Sequence, residues 1–240
     1  MTRPPSSSLL VTVLLAAVAA PLPASGYEVV AVTDGGTIKG KVVYQGAVPT
    51  KKIIPSKDQE TCGQMREEPV IVVGPDKGVQ DAVVYLKGVP KGKALTKPAK
   101  KPEIVNHKCN FEPHVQAFPV GTVVVVNSDP VMHNTHAFQG KATVFNVALP
   151  VKGQRVEKPL TKPGMTRIEC DTHGWMLAWV YAADNPYYAV TAKDGTFSIA
   201  DVPPGSYTLV AWQESTGEME VPVTVKAKEA VQLPSELKKK

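Results

Sequence analysis

One short segment of the sequence is rich in side chains that bind soft metal ions, and it reads Cys170-Asp171-Thr172-His173-Gly174-Trp175-Met176. Residues 166–169 and 177–181, on either side of it, have the composition of strands, and the turn residues Pro163 and Gly164 precede the first of them. We therefore predict a loop between two adjacent strands. A loop this short brings Cys170, His173 and Met176 around one point, where a single metal ion fits.

A cysteine thiolate, two imidazoles and a weakly bound methionine form the ligand set of a type 1, or blue, copper site. The loop supplies one imidazole, so the second must come from another part of the fold. His133 is the predicted fourth ligand, and the Asn134 amide beside it is expected to bridge to the Cys170 loop by hydrogen bonds. His136 lies close enough in the sequence to compete with His133. Zinc is the competing metal, because one cysteine and two histidines can bind Zn²⁺ tetrahedrally, although methionine is an unusual zinc ligand.

The rest of the chain favours β structure. Val-rich runs of four to eight residues recur, broken by Gly, Pro, Asn and Asp, and residues 121–126 are an example. No apolar pattern of helical period lasts three turns. Together these features predict an all-β protein built from sandwiches.

The central residues 103–184 resemble the cupredoxins, blue copper proteins of the amicyanin and plastocyanin type. The resemblance rests on motifs in the family's order: Phe111-x-Pro113, Gly121-Thr122, Asn127-x-Asp129, His133-Asn134, Pro163-Gly164 and the Cys-x-x-His-x-x-Met loop at Cys170. It implies a Greek-key sandwich, one type 1 copper ion held by the four ligands above, and one-electron transfer. It also implies that His173 lies near solvent and is the exit point for the electron. Gly174 departs from the pattern, since Pro is common there.

The segments before and after residues 103–184 complement each other. Their patterns resemble a carboxypeptidase regulatory-like domain, an Ig- or transthyretin-like sandwich: Gly36-x-Ile38-x-Gly40-x-Val42, Asp194-Gly195-x-Phe197 and Pro203-Pro204-Gly205-x-Tyr207. We predict that residues 27–102 and 185–240 form one such domain and that residues 103–184 are inserted into it, as is tolerated where chain ends lie close. This predicts contacts between strands near Val42 and Leu209. The alternative is three consecutive small β units.

The first 26 residues are typical of a secretory signal peptide, with one positive charge at Arg3, an apolar run over residues 9–20 and small residues up to Gly26. The run is shorter than the roughly 20 residues that span a bilayer, so we expect a periplasmic or secreted protein. Cysteines tend to form disulfides in such compartments, and of three cysteines one must stay unpaired. With Cys170 used for metal, Cys62 and Cys109 are expected to form a disulfide.

The residues favour an electron carrier over an enzyme. No Ser-His-Asp order, Gly-rich phosphate loop or carboxylate pair stands out. We expect redox protein partners, such as a cytochrome c or a periplasmic dehydrogenase. The net charge of +5 includes lysines at 87–101 and 238–240 without interleaved aromatic residues, which is not the pattern of nucleic-acid binding. Two further functions stay open: copper binding or delivery without a redox role, and a structural module of the cell envelope.

Overall fold

A computed structural model describes residues 26–237 of the chain. The predicted signal peptide, apart from Gly26, lies outside this range. Regular structure in the described part is almost entirely β, with one helical turn, α1 (Gln59–Cys62), and one 3₁₀ turn (Pro75–Lys77). None of the helices described there is long and apolar enough to cross a membrane. The strands are β1 (Glu28–Val29), β2 (Gly36–Tyr44), β3 (Thr50–Ile53), β4 (Arg66–Pro69), β5 (Val83–Lys87), β6 (Lys91–Gly92), β7 (Glu103–His107), β8 (Asn110–Glu112), β9 (Val115–Pro119), β10 (Gly121–Asn127), β11 (His133–Gln139), β12 (Ala142–Leu149), β13 (Arg155–Leu160), β14 (Gly164–Glu169), β15 (Leu177–Ala183), β16 (Tyr188–Val190), β17 (Thr196–Val202), β18 (Gly205–Gln213), β19 (Gly217–Val225) and β20 (Ala230–Leu237).

The central sandwich is formed by β7 to β15. One sheet has the strand order β13-β10-β7-β8 and the other has the order β12-β11-β14-β15-β9. Side chains alternate across each strand, so in β14 the buried Thr166 and Ile168 are flanked by more exposed residues. Each large apolar side chain buried between the sheets, such as Ile104 or Leu149, contributes about 1.5 to 3 kcal/mol. The predicted all-β sandwich class is confirmed.

A second sandwich combines strands from before and after the central one. Its sheets have the orders β16-β5-β18-β19 and β17-β2-β20. Strand β5 pairs antiparallel with β18, with Leu86 opposite Leu209, and β2 lies between β17 and β20. Val42 and Leu209 belong to the same hydrophobic core. Strands from residues 27–102 and 185–240 are therefore interleaved in the same two sheets.

An apolar junction joins the two sandwiches. The ring of Tyr181 on β15 stacks on Tyr85 of β5 with centroids 4.5 Å apart, and Trp179 meets Trp212 of β18 edge to face at 4.9 Å. Because side chains alternate along β15, Val180 faces the central core while Trp179 and Tyr181 face the junction. The strand that follows the Cys170 loop is thus packed on both of its faces.

An ion pair crosses the same junction. His114 Nε2 lies 3.1 Å from Glu214 Oε1, and Trp179 Nε1 donates to the other Glu214 oxygen at 2.8 Å. Burial lowers the pKa of His114, but the Glu214 carboxylate outweighs it, so the pKa is raised overall. The pKa of Glu214 shifts the other way: burial raises it, and the bonds from His114 and Trp179 lower it by more.

We expect this pair to make the stability of the metal-free protein depend on pH. A histidine with a raised folded pKa contributes stability that is complete below about pH 6.5, the ordinary value, and is lost as the pH rises through the raised value. This contribution should therefore shrink as the pH rises above about 6.5, so the free energy of unfolding of the wild type should fall relative to that of Glu214→Gln. Urea titrations at several pH values measure both profiles. The other histidines are common to both proteins, so parallel profiles would contradict the prediction.

Candidate metal centre

The Cys170 loop joins β14 to β15 at one end of the central sandwich, as the sequence predicts. Its three predicted ligands point inward: Cys170 is 1%, His173 0% and Met176 2% exposed. The Met176 backbone N–H donates to the His173 carbonyl oxygen at 2.9 Å, which closes the loop into a turn. Cys170 and Met176 lie in the same hydrophobic cluster.

His133, at the start of β11, lies opposite this loop and is fully buried. Its Nδ1 atom is 3.9 Å from Cys170 Sγ, and His173 Nδ1 is 3.7 Å from the same sulfur. One donor atom from each of these three residues falls within 4.8 Å of the others. The structure therefore brings three of the four predicted ligands to one point, and Met176, on the same loop, is buried in the core of the central sandwich.

These distances fit one ion held between the three donors. Two ligand atoms bound at about 2.0 and 2.3 Å, with an angle near 120°, lie about 3.7 Å apart. A thiolate and two imidazoles, with a thioether on the same loop, are donors that copper accepts. When bound, copper supplies the ability to accept and return one electron.

Each imidazole has a carboxylate on its far side. Asp129 Oδ2 lies 2.8 Å from His133 Nε2, and Asp58 Oδ2 lies 2.9 Å from His173 Nε2. A carboxylate here accepts the Nε2–H proton, which leaves the Nδ1 lone pair directed at the metal position. Burial lowers the pKa of His133 and the His173 ring adds to the effect, against the opposing influence of Asp129. The His133 ring is therefore neutral at pH 7 and able to bind a metal.

Asn134 makes the bridge predicted for it. Its Oδ1 accepts from the Thr172 backbone N–H at 3.2 Å and lies 3.4 Å from Cys170 Sγ. Its Nδ2 donates to Asp171 at 2.8 Å. One amide thus fixes the position of the Cys170 loop against the strand that carries His133.

His136, the alternative ligand, lies apart from this cluster. Side chains alternate along a strand, so residues three apart, such as His133 and His136, point to opposite faces of β11. His136 Nδ1 is 3.0 Å from Asp171 Oδ1 and its Nε2 is 2.9 Å from Thr143 Oγ1. Both ring nitrogens of His136 are thus engaged outside the cluster.

The burial of His173 corrects one expectation. The cupredoxin resemblance implies an imidazole near solvent, whereas the His173 side chain is 0% exposed. A cap segment, defined here as residues 58–62, covers it, and Asp58 supplies the carboxylate on its Nε2. The Cys62–Cys109 disulfide, at 2.03 Å between sulfurs, ties this segment to the turn between β7 and β8. Donor atoms of Cys62, Cys109 and His173 lie within 4.8 Å of one another.

Sequence reasoning missed both carboxylates. Asp129 stands in a motif that the resemblance uses, four residues before His133, and this spacing is a usable signal. It also accepts the backbone N–H groups of Lys108 and Cys109 at 2.7 and 2.9 Å. Asp58 is 115 residues from His173, and no local pattern links the two. Asp58 precedes a helical turn, which would indicate a helix cap rather than a metal site.

Comparison with known proteins finds matches that each cover part of this chain. The family model of polysaccharide lyase family 4, domain II, matches residues 162–233, which is less than half of the chain. No curated protein matches at a significant level. A purple cupredoxin from Nitrosopumilus maritimus is 25% identical over 35% of this chain and 100% of its own, with a TM-score of 0.31. Amicyanin from Paracoccus versutus is 19% identical over 36% of this chain and 84% of its own, with a TM-score of 0.32.

A third solved structure is larger. The copper-containing nitrite reductase from Thermus scotoductus is 20% identical over 59% of this chain and 28% of its own, with a TM-score of 0.32. This chain therefore spans little more than a quarter of the reductase. At such TM-scores the likenesses add no argument to the ligand geometry. None of these matches corresponds to the carboxypeptidase regulatory-like resemblance of the flanking segments.

Proposed function

We propose that His133, Cys170, His173 and Met176 hold one copper ion as a type 1 site and that the protein carries single electrons. One observation supports this most directly: Cys170 Sγ lies 3.7 and 3.9 Å from two imidazole Nδ1 atoms whose Nε2 atoms each face a carboxylate. Such a donor set suits both oxidation states of copper.

The surroundings of the site favour electron transfer over catalysis. The proposed ligands are at most 2% exposed, so a substrate has no open path to the ion. Asn134, the two carboxylates and the disulfide hold the donors in place. A rigid site changes little in shape when copper gains or loses an electron, which favours fast exchange. We therefore infer an electron carrier rather than an enzyme.

We also infer an exported protein of two domains. The interleaved strands of residues 27–102 and 185–240 support the insertion of residues 103–184 into one host sandwich. The disulfide favours an oxidising compartment, the periplasm or the cell exterior. We propose a redox protein, such as a cytochrome c or a periplasmic dehydrogenase, as the partner.

The visible and electron-paramagnetic spectra of the copper-loaded chain, residues 27–240, test the proposal. We expect an intense absorption near the red end of the visible that ascorbate bleaches and air or a mild oxidant restores. A zinc-loaded sample is the colourless control. A copper protein that stays colourless under oxidant, and passes copper(I) to a chelating acceptor, would instead indicate copper delivery and refute the electron carrier.

A further inference from the structure

Asp58 stands in an unusual conformation for its position. It precedes α1 with φ 53° and ψ 34°, the left-handed region that residues other than Gly seldom occupy. An Asp before a helix usually accepts a backbone N–H with its side chain, and Asp58 makes no such bond. Its carboxylate reaches His173 Nε2 at 2.9 Å instead.

The cap segment is anchored so that Asp58 stays over His173. The Asp58 carbonyl oxygen accepts from the backbone N–H of Thr61 and Cys62 at 2.9 and 2.8 Å. Cys62 is bonded to Cys109, whose own N–H donates to Asp129, the carboxylate that faces His133. The disulfide thus connects the two chain segments whose carboxylates face the two imidazoles.

The chemistry of this contact follows from the charge of Asp58. Its carboxylate, 36% exposed, is the one negative group within hydrogen-bonding distance of His173 in the described chain. Accepting the Nε2–H proton fixes the tautomer in which Nδ1 is free to bind the ion. A negative charge on the far side of the ring also stabilises copper(II) more than copper(I), because copper(II) carries the larger positive charge.

We propose that Asp58, contributed by a segment outside residues 103–184, is a positioning residue of the copper site that orients His173 and favours copper(II). The inference rests on the proposed copper site. It assigns to the flanking domain a direct part in setting the reduction potential. Asp58 also takes the place of solvent at the edge of His173.

Asp58→Asn tests this, because Asn keeps the shape and tolerates the left-handed backbone but lacks the charge. Asp76→Asn is the matched control, since Asp76 has φ 50° and ψ 36° and a side chain that is 90% exposed. We expect Asp58→Asn to weaken copper(II) binding about 10- to 100-fold. If the copper(I) affinity is unchanged, each tenfold loss of copper(II) affinity raises the reduction potential by about 59 mV. Asp76→Asn should match the wild type in both measurements.

A second measurement does not depend on copper. In the metal-free protein, ¹⁵N NMR of the His173 ring reports which nitrogen carries the proton, and we expect the Nε2–H form in wild type and a mixture in Asp58→Ala. An unchanged tautomer in Asp58→Ala, or an unchanged potential in Asp58→Asn of a blue wild-type protein, would overturn the role of Asp58. A wild type without a blue copper spectrum would instead count against the proposed function, and the NMR result would still decide the role of Asp58.

Discussion

Replacing Cys170 by serine is expected to abolish the visible colour of the copper-loaded protein completely. The proposed colour comes from charge transfer between the thiolate sulfur and copper(II), and a serine hydroxyl supplies neither the sulfur nor a soft anionic ligand. Serine is close to cysteine in size, and Asn134 Oδ1, 3.4 Å from Cys170 Sγ, can accept a hydrogen bond from a hydroxyl there, so the fold should survive. Absorption and electron-paramagnetic spectra of the copper-loaded variant measure the effect.

His136→Ala is the matched control for this experiment. His136 points to the face of β11 opposite His133, and its ring bonds Asp171 and Thr143. Its removal should leave the colour in place. A coloured Cys170→Ser protein, or a colourless His136→Ala protein that still folds, would show that the ligands are assigned wrongly.

The local parts of the site could be predicted from the sequence. The strands β14 and β15 follow from residues of strand composition next to the Pro163-Gly164 turn, and the three inward donors of the loop follow from its short length. The Asn134 bridge could be predicted because its partners, residues 171 and 172, are in that loop.

The remaining features depend on three-dimensional placement. To choose between His133 and His136, one must know which residues of β11 point into the core. This is known only once the position of β11 in the fold is fixed. The carboxylate on His173 comes from Asp58, which the host segment brings across 115 residues of sequence. The cupredoxin resemblance implies an imidazole near solvent, and this expectation is wrong for His173. The resemblance carries no information about the cap segment that covers His173.

Removing the Cys62–Cys109 disulfide should cost about 4 kcal/mol in the free energy of unfolding. The bond closes a loop of 47 residues, and the chain-entropy model gives this value for the conformations it removes from the unfolded state. We expect the loss in Cys62→Ala/Cys109→Ala, measured by urea unfolding of the metal-free protein. Alanine is preferred to serine because both positions are buried and a hydroxyl would lack a partner there.

A reductant separates the crosslink from the packing of the two side chains. Unfolding the wild type in the presence of a phosphine should lower its stability to that of the double variant, whereas the variant itself should not respond. A loss below about 1 kcal/mol would mean that the cap segment is held mainly by other contacts, such as Arg66, which donates to the Cys62 carbonyl oxygen at 3.3 Å and to Asn110 at 3.2 Å. Because the same bond holds Asp58 over His173, the double variant should also bind copper(II) more weakly, in the direction expected for Asp58→Asn. Stability and metal affinity would then fall together, since one covalent link joins the host segment to the copper site.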